Sequence, residues 1–103
     1  MVNLVYTFNS ITDLKSIHDF ISKDSPANAR RFVFDLRKHL AVLKTHPEFG
    51  FPAYPDRYQK IRQVLFKSYR IIYLLQEGTI FIITVFHQHR LPENIPSLSQ
   101  FEK

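Results

Sequence analysis

The run His87-Gln88-His89-Arg90 places two imidazoles and a guanidinium within four residues. Imidazole titrates near neutrality and can move protons, and a guanidinium holds a phosphate through parallel N–H donors. With Arg62 and Arg70 added, the set has the chemistry of a ribonuclease. An imidazole would take the 2′-hydroxyl proton, and a cation would carry the charge that develops on phosphorus. The plainer reading is a solvent-exposed strand end that happens to hold two His. His87 and His89 have the spacing of a metal pair, but no third ligand lies near them and the chain has no Cys. A zinc-type site needs at least three protein ligands, so no metal is expected. No Gly-rich loop occurs either, so no nucleotide cofactor is expected.

A second set is purely cationic. Arg30, Arg37 and Lys44 recur every seven residues, with Arg31 and Lys38 beside them. Seven residues is close to two helical turns, so on a helix these charges share one face and can meet phosphates or acidic side chains. An ordinary solvated helix face would look the same. Phe51, Tyr54 and Tyr58 lie near Arg57 and Lys60 in a Pro-rich stretch, where rings either stack bases or fold the loop onto the core. The formal charge of +5 favours an anionic partner.

The elements that must position these groups are legible from periodicity. Val2, Leu4, Tyr6 and Phe8 alternate as one face of a short strand. Ser10-Ile11-Thr12-Asp13 matches a capping box, and Ile11, Leu14, Ile17 and Ile21 then form a helical stripe. Ser25-Pro26 opens a second helix whose apolar face is Ala29, Phe32, Val33, Leu36, Leu40 and Leu43. Pro47 ends it near Thr45-His46. Residues 47–58 hold three prolines and Gly50 and read as a loop. Ile61 to Phe66, Tyr69 to Gln76 and Ile80 to His87 read as strands joined by turns at Lys67-Ser68 and Glu77-Gly78. The order β-α-α-β-β-β predicts an α+β fold, a helical hairpin packed on a small antiparallel sheet.

Uninterrupted pairing across these turns sorts the strands into two faces. Leu65, Arg70, Ile72, Leu74, Phe81, Ile83, Val85 and His87 share the more uniformly apolar one. The helices are expected to cover it, with Arg70 and His87 neighbours at its rim. Arg62, Val64, Phe66, Tyr69, Ile71, Tyr73, Ile82, Thr84 and Phe86 make the other, whose rings and Arg62 suit a partner. A one-residue slip would exchange the two sets.

A chain of 103 residues is one domain, here residues 1–103. The absence of Cys fits a reducing compartment. No apolar run reaches the ~18 residues of a membrane span, and Met1-Val2-Asn3-Leu4 does not open a signal peptide. A cytoplasmic location away from membranes is expected.

Several residues together now carry a resemblance. Asp13-Leu14 with Ile17, Ala29 with Phe32 and Leu36, Leu43 before Pro47 and Gly50, Arg62, the stretch Tyr69-Arg70-Ile71-Ile72-Tyr73, and His87 with Arg90 resemble, in order and spacing, the RelE/ParE toxins of type II toxin–antitoxin systems. The resemblance spans nearly the whole chain, and the His-x-x-Arg at 87–90 is similar to ParE-like members. It implies a toxin neutralised by an acidic, partly disordered antitoxin, as a homodimer or a toxin–antitoxin hetero-oligomer. ParE-like members inhibit DNA gyrase. RelE-like members cut mRNA on the ribosome with Lys, Arg and Tyr, or with a Glu and a His-Tyr pair. This chain departs from the RelE pattern. No Glu lies between Phe49 and Gln76, which leaves Asp56 alone as a carboxylate there. Gln88 and His89 stand where the His-Tyr pair belongs. The resemblance therefore implies a ParE-like inhibitor of gyrase, with Arg62, Tyr73, His87 and Arg90 meeting target or antitoxin. Two alternatives stand beside it. One is a ribosome-dependent endoribonuclease using His87, His89, Arg62, Arg70 and Arg90. The other is an inactive or RNA-binding module.

Overall fold

The computed structural model describes residues 2–53 and 60–88. Their order is β1 (Asn3–Tyr6), α1 (Phe8–Ser22), α2 (Pro26–Leu40) running into a 3-10 turn (Ala41–Lys44), β2 (Phe51–Pro52), β3 (Ile61–Phe66), β4 (Tyr69–Gln76) and β5 (Thr79–His87). The strands form one sheet in the order β1-β5-β4-β3-β2. The α+β class and the helical hairpin are as expected. The sheet differs in two respects. The first strand pairs parallel with β5, so the sheet is mixed. The Pro-rich loop also contributes the two-residue β2, antiparallel to β3 at the edge.

The first helix starts earlier than Ser10. Thr7 caps it, its hydroxyl accepting the Ser10 N–H at 3.2 Å while donating to the Ile82 carbonyl at 2.7 Å. Both Thr7 and Ser10 are competent caps by residue type. The bond to β5 selects Thr7, because it ties the helix start to the sheet. Ser10 falls one turn inside, buried, and its hydroxyl donates back to the Thr7 carbonyl. Phe8 consequently belongs to the helix and stands 85% exposed, whereas Val2, Leu4 and Tyr6 pack inward as expected. The second helix follows the sequence closely. Ser25 accepts from the Asn28 N–H, Pro26 takes the first turn, and Ala29, Phe32, Leu36, Leu40 and Leu43 are buried.

The helices pack on the face expected to be open. Leu14, Phe32, Leu36, Leu40 and Leu43 close over Val64, Ile71, Tyr73, Ile80, Ile82 and Val85. The opposite face carries a smaller cluster of Ile61, Ile72, Ile83 and Phe86, flanked by Ala53, Leu74 and Phe81. The covered face is the one with tyrosines and Arg62. It can be buried because the Tyr73 hydroxyl and the Arg62 guanidinium find partners in the loop after α2, which the apolar count along the strands does not register.

A β-bulge in β5 alters the pairing. Tyr73 pairs with Ile82, but Ile72 pairs with Thr84, leaving Ile83 as the extra residue. From there to the strand end the register moves by one, which exchanges the faces of the residues beyond it. Asp13 on α1 supports this segment. Its carboxylate accepts the Thr84 hydroxyl and, at 3.1 Å, the Val85 N–H. The first strand reaches along β5 only as far as Ile82. Beyond that point the helix carboxylate takes the place of a strand neighbour. The two turns lie where expected. Lys67 adopts φ 54°, and Glu77 and Gly78 adopt 50° and 77°, the signature of a two-residue primed turn in the second case.

Candidate functional site

Arg62 and Tyr73 face each other across β3 and β4 and jointly hold the loop that follows α2. The Tyr73 ring is fully buried. Its hydroxyl accepts the Gly50 N–H at 3.1 Å and donates to the Pro47 carbonyl at 2.8 Å. The Arg62 guanidinium donates to the Gly50 carbonyl at 2.7 Å and more weakly to that of Glu48. Gly50 is needed here for its missing side chain. A Cβ would lie 2.4 Å from the Gln63 carbonyl oxygen and 2.8 Å from the Tyr73 hydroxyl. Burial pushes the Tyr73 phenol above its ordinary range, and the Gly50 hydrogen bond and the Arg62 charge pull it partly back. These two residues thus form an internal anchor. Tyr73 presents no surface, and Arg62 is only part-exposed with its donors aimed at loop carbonyls.

Arg70 and His87 do not meet. The bulge pairs Arg70 with Phe86 and Tyr69 with His87. Arg70 lies on the face away from the helices, part-buried, and donates to the Gln63 side chain at 2.6 Å. His87 lies on the helix side, exposed, its ring edge-on to Tyr69 at 5.5 Å between centroids. The expectation that both sit at one rim is corrected by the single inserted residue. Arg62 is remote from both. It pairs with Tyr73, four residues along β4 from Tyr69, so its backbone is roughly 16 Å from that of His87 at ordinary strand spacings. Arg70 therefore lies across the sheet from Arg62 and His87, and the three are not gathered at one point. His89 and Arg90 lie outside the described residues, as do Tyr54, Asp56, Arg57 and Tyr58. Among the described residues no three His, Asp or Glu side chains converge as a metal site requires.

Arg30, Arg37 and Lys44 are all exposed, as are Arg31 and Lys38, so the basic stripe exists as a surface. Arg37 departs from the others. Its guanidinium lies over the Tyr6 ring, 4.7 Å from the centroid, and so turns toward the cleft between the helices and β1. An aromatic row runs along the other end of the hairpin, from His87 through Tyr69, Phe32 and Phe66 to His39, with consecutive centroids 5.2–5.6 Å apart. Neither Tyr6 with Arg37 nor Asp13 with Thr84 was picked out by sequence. Tyr6 on the inward face of β1, ring inside and hydroxyl seeking a partner, was the available signal for the first. Nothing in the spacing signals the second, since the two residues are separated by 71 positions.

Residues 4–92 match the sequence model of the ParE toxin of the type II toxin–antitoxin system parDE. Toxin RelE2 of Caulobacter vibrioides is 30% identical over 92 residues, which cover 88% of this chain and all of that protein. Among solved structures, the chromosomal ParDE toxin–antitoxin system from P. aeruginosa superposes with a TM-score of 0.71 at 19% identity, over 84% of this chain and 96% of that one. The last comparison bears on the fold, which it supports over both helices and the sheet.

Proposed function

The chain belongs to the ParE toxin family of type II toxin–antitoxin systems, and on that premise we propose that it is a non-catalytic toxin: it arrests growth by binding and inhibiting a protein target, DNA gyrase, and a cognate acidic antitoxin neutralises it. The observation that carries the choice of mechanism is the bulge at Ile83, which sends Arg70 and His87 to opposite faces of the sheet. General acid–base cleavage needs a proton-transfer group and a charge-stabilising group within reach of the same phosphodiester. The described cations and imidazole are instead spread over separate surfaces or spent on the loop anchor. Such a distribution serves contact with a macromolecule better than chemistry on one bond.

The basic surface supports an acidic partner. The chain carries +5, and no ion pair ties down Arg30, Arg31, Arg37 or Lys38 among the described residues. Cationic faces speed association with anionic partners and bias which partners bind. No helix among the described residues is long and apolar enough to cross a membrane, and a gyrase target would put the protein in the cytoplasm in this reading. A plasmid-topology measurement after induction tests it. Induction alone should arrest growth and relax a reporter plasmid, and co-expression of the antitoxin should reverse both. Growth arrest with unchanged topology and mRNA cut within translated codons would favour the ribonuclease instead.

A further inference from the structure

The sheet face turned away from the helices is sealed as tightly as a core, although no helix among the described residues lies on it. Ile72 on β4 is 2% exposed, and Ile83 and Phe86 on β5 are 4% and 2% exposed. Both helices pack on the other face. Among the described apolar residues, Ala53 alone reaches this cluster from outside β3, β4 and β5. Phe86 is the sharpest case. It lies near the end of β5, beyond Ile82, where the pairing with β1 stops, so no β1 residue flanks it. A large ring so placed would stand partly in water unless something lay over it. The seal is made within one chain, so the cover belongs to the chain itself.

The cover is localised. On the same face Leu65 of β3 is 43% exposed, whereas Phe86, which pairs with Arg70 from the other side, is sealed. The seal therefore lies over β5 and β4 and thins toward β3. Two segments could supply it. Residues 54–59 connect Ala53 to Lys60, and the Ala53 N–H donates to the Ile61 carbonyl, so both ends of that connection lie beside Ile61. A connection whose ends lie together reaches out at most half its length, about 12 Å for six residues. Phe86 is roughly 16 Å from Ile61, four residues along and two strands across at ordinary spacings. That loop suits Ile61 and falls short of Phe86. The chain after Gln88 begins where Phe86 lies, since the Gln88 N–H donates to the Ser68 carbonyl at 2.8 Å at the same end of the sheet. Residues 89–103 are long enough to run the length of the face. Leu91, Ile95, Leu98 and Phe101 supply apolar groups at steps of three and four. Residues 93–103 also lie past the end of the match to the toxin family, at residue 92.

We propose that the C-terminal segment folds back over this face and seats Ile95, Leu98 and Phe101 against Ile72, Ile83 and Phe86. The face then forms a second core layer, closed by a strap that lies beyond the part of the chain matched by the family. The strap has a consequence for partners. Ile72, Ile83 and Phe86 become reachable only when it is displaced, whereas Leu65 at its margin stays accessible. The proposal goes beyond the toxin reading and does not depend on it.

The test uses the full chain. It has no Cys, so a nitroxide can be attached at one chosen position. At Leu65→Cys the label stands beside the sealed cluster. At Phe34→Cys, a position 67% exposed on α2, it stands on the helix side of the molecule. In NMR spectra the Leu65 label is expected to extinguish the amide signals of Ile95, Leu98 and Phe101, and the Phe34 label to leave them. Dilution with excess unlabelled chain should not restore the lost signals. Their return on dilution would assign the cover to a second copy and overturn the proposal. Signals that ignore the Leu65 label, or that respond alike to both labels, would overturn it too. A chain ending at Pro92 gives a second readout. It should bind more of a hydrophobic dye and unfold at least about 8 °C below the full chain, because several apolar side chains lose their cover. Unchanged dye binding and an unchanged midpoint would contradict the strap. Should the shortened chain fail to fold, the nitroxide measurement decides alone.

Discussion

Tyr73 shows how far residue type alone can mislead about role. An aromatic ring with a polar tip in mid-strand fits a binding surface as well as a core, and its neighbour Arg62 strengthens the first impression. The structure commits both to the loop after α2, through bonds to Gly50, Pro47 and Glu48. Those partners are more than ten residues away in sequence, so nothing local to β3 or β4 announces them. Gly50 is legible as a loop residue, but the reason for it, contact with the Tyr73 hydroxyl and the Gln63 carbonyl, is not. Replacing Tyr73 by Phe should strand the Gly50 N–H and the Pro47 carbonyl in a buried place. Urea unfolding near pH 7 is expected to show a loss of about 2–3 kcal/mol. The pH dependence has a definite sign. Burial raises the folded-state value of this phenol above the ordinary 10.0. The contribution of the neutral phenol is thus fully present below about pH 10 and is lost as pH rises through the raised value. The wild-type advantage over Tyr73→Phe should shrink in that alkaline window. Tyr6 shifts in the same direction, so some alkaline loss will persist in the variant.

Elements were more legible than their pairing. The caps and apolar stripe of α2, both hairpin turns and the three long strands follow from local chemistry, and each is where periodicity puts it. The face that the helices cover was not legible. Residues 80–86, Ile-Phe-Ile-Ile-Thr-Val-Phe, are apolar on both sides, so alternation carries no phase through this strand. An extra residue there, with no Gly or Pro to mark it, is invisible to pattern, yet it decides where His87 points. The bulge is held by Asp13, which the sequence offers only as the last residue of a capping box. Asp13→Ala should remove two hydrogen bonds to a carboxylate and destabilise by about 2–3 kcal/mol in chemical denaturation. Made in a Thr84→Val background, the same change should cost measurably less, because one of its partners is already gone. Equal costs in the two backgrounds would mean that the hydroxyl contributes nothing to the bulge.

At the scale of the whole molecule, sequence carried the family and the charge, while the structure decides what the charges can do. The separate surfaces now visible are a loop anchor, an open sheet face with Arg70, an exposed His87 beside Tyr69, and a basic helical hairpin with rings Phe8, Phe20 and Phe34 exposed on it. Exposed rings on a cationic surface are features of a face that another macromolecule can cover. Inhibition of gyrase by a protein without chemistry of its own is most directly examined with purified components. Supercoiling of relaxed plasmid by gyrase should fall as this chain is added, and cleaved protein-linked DNA should accumulate. Supercoiling that proceeds unchanged at saturating concentration, while translated mRNA is cut within codons and His87→Ala abolishes the cuts, would contradict that conclusion.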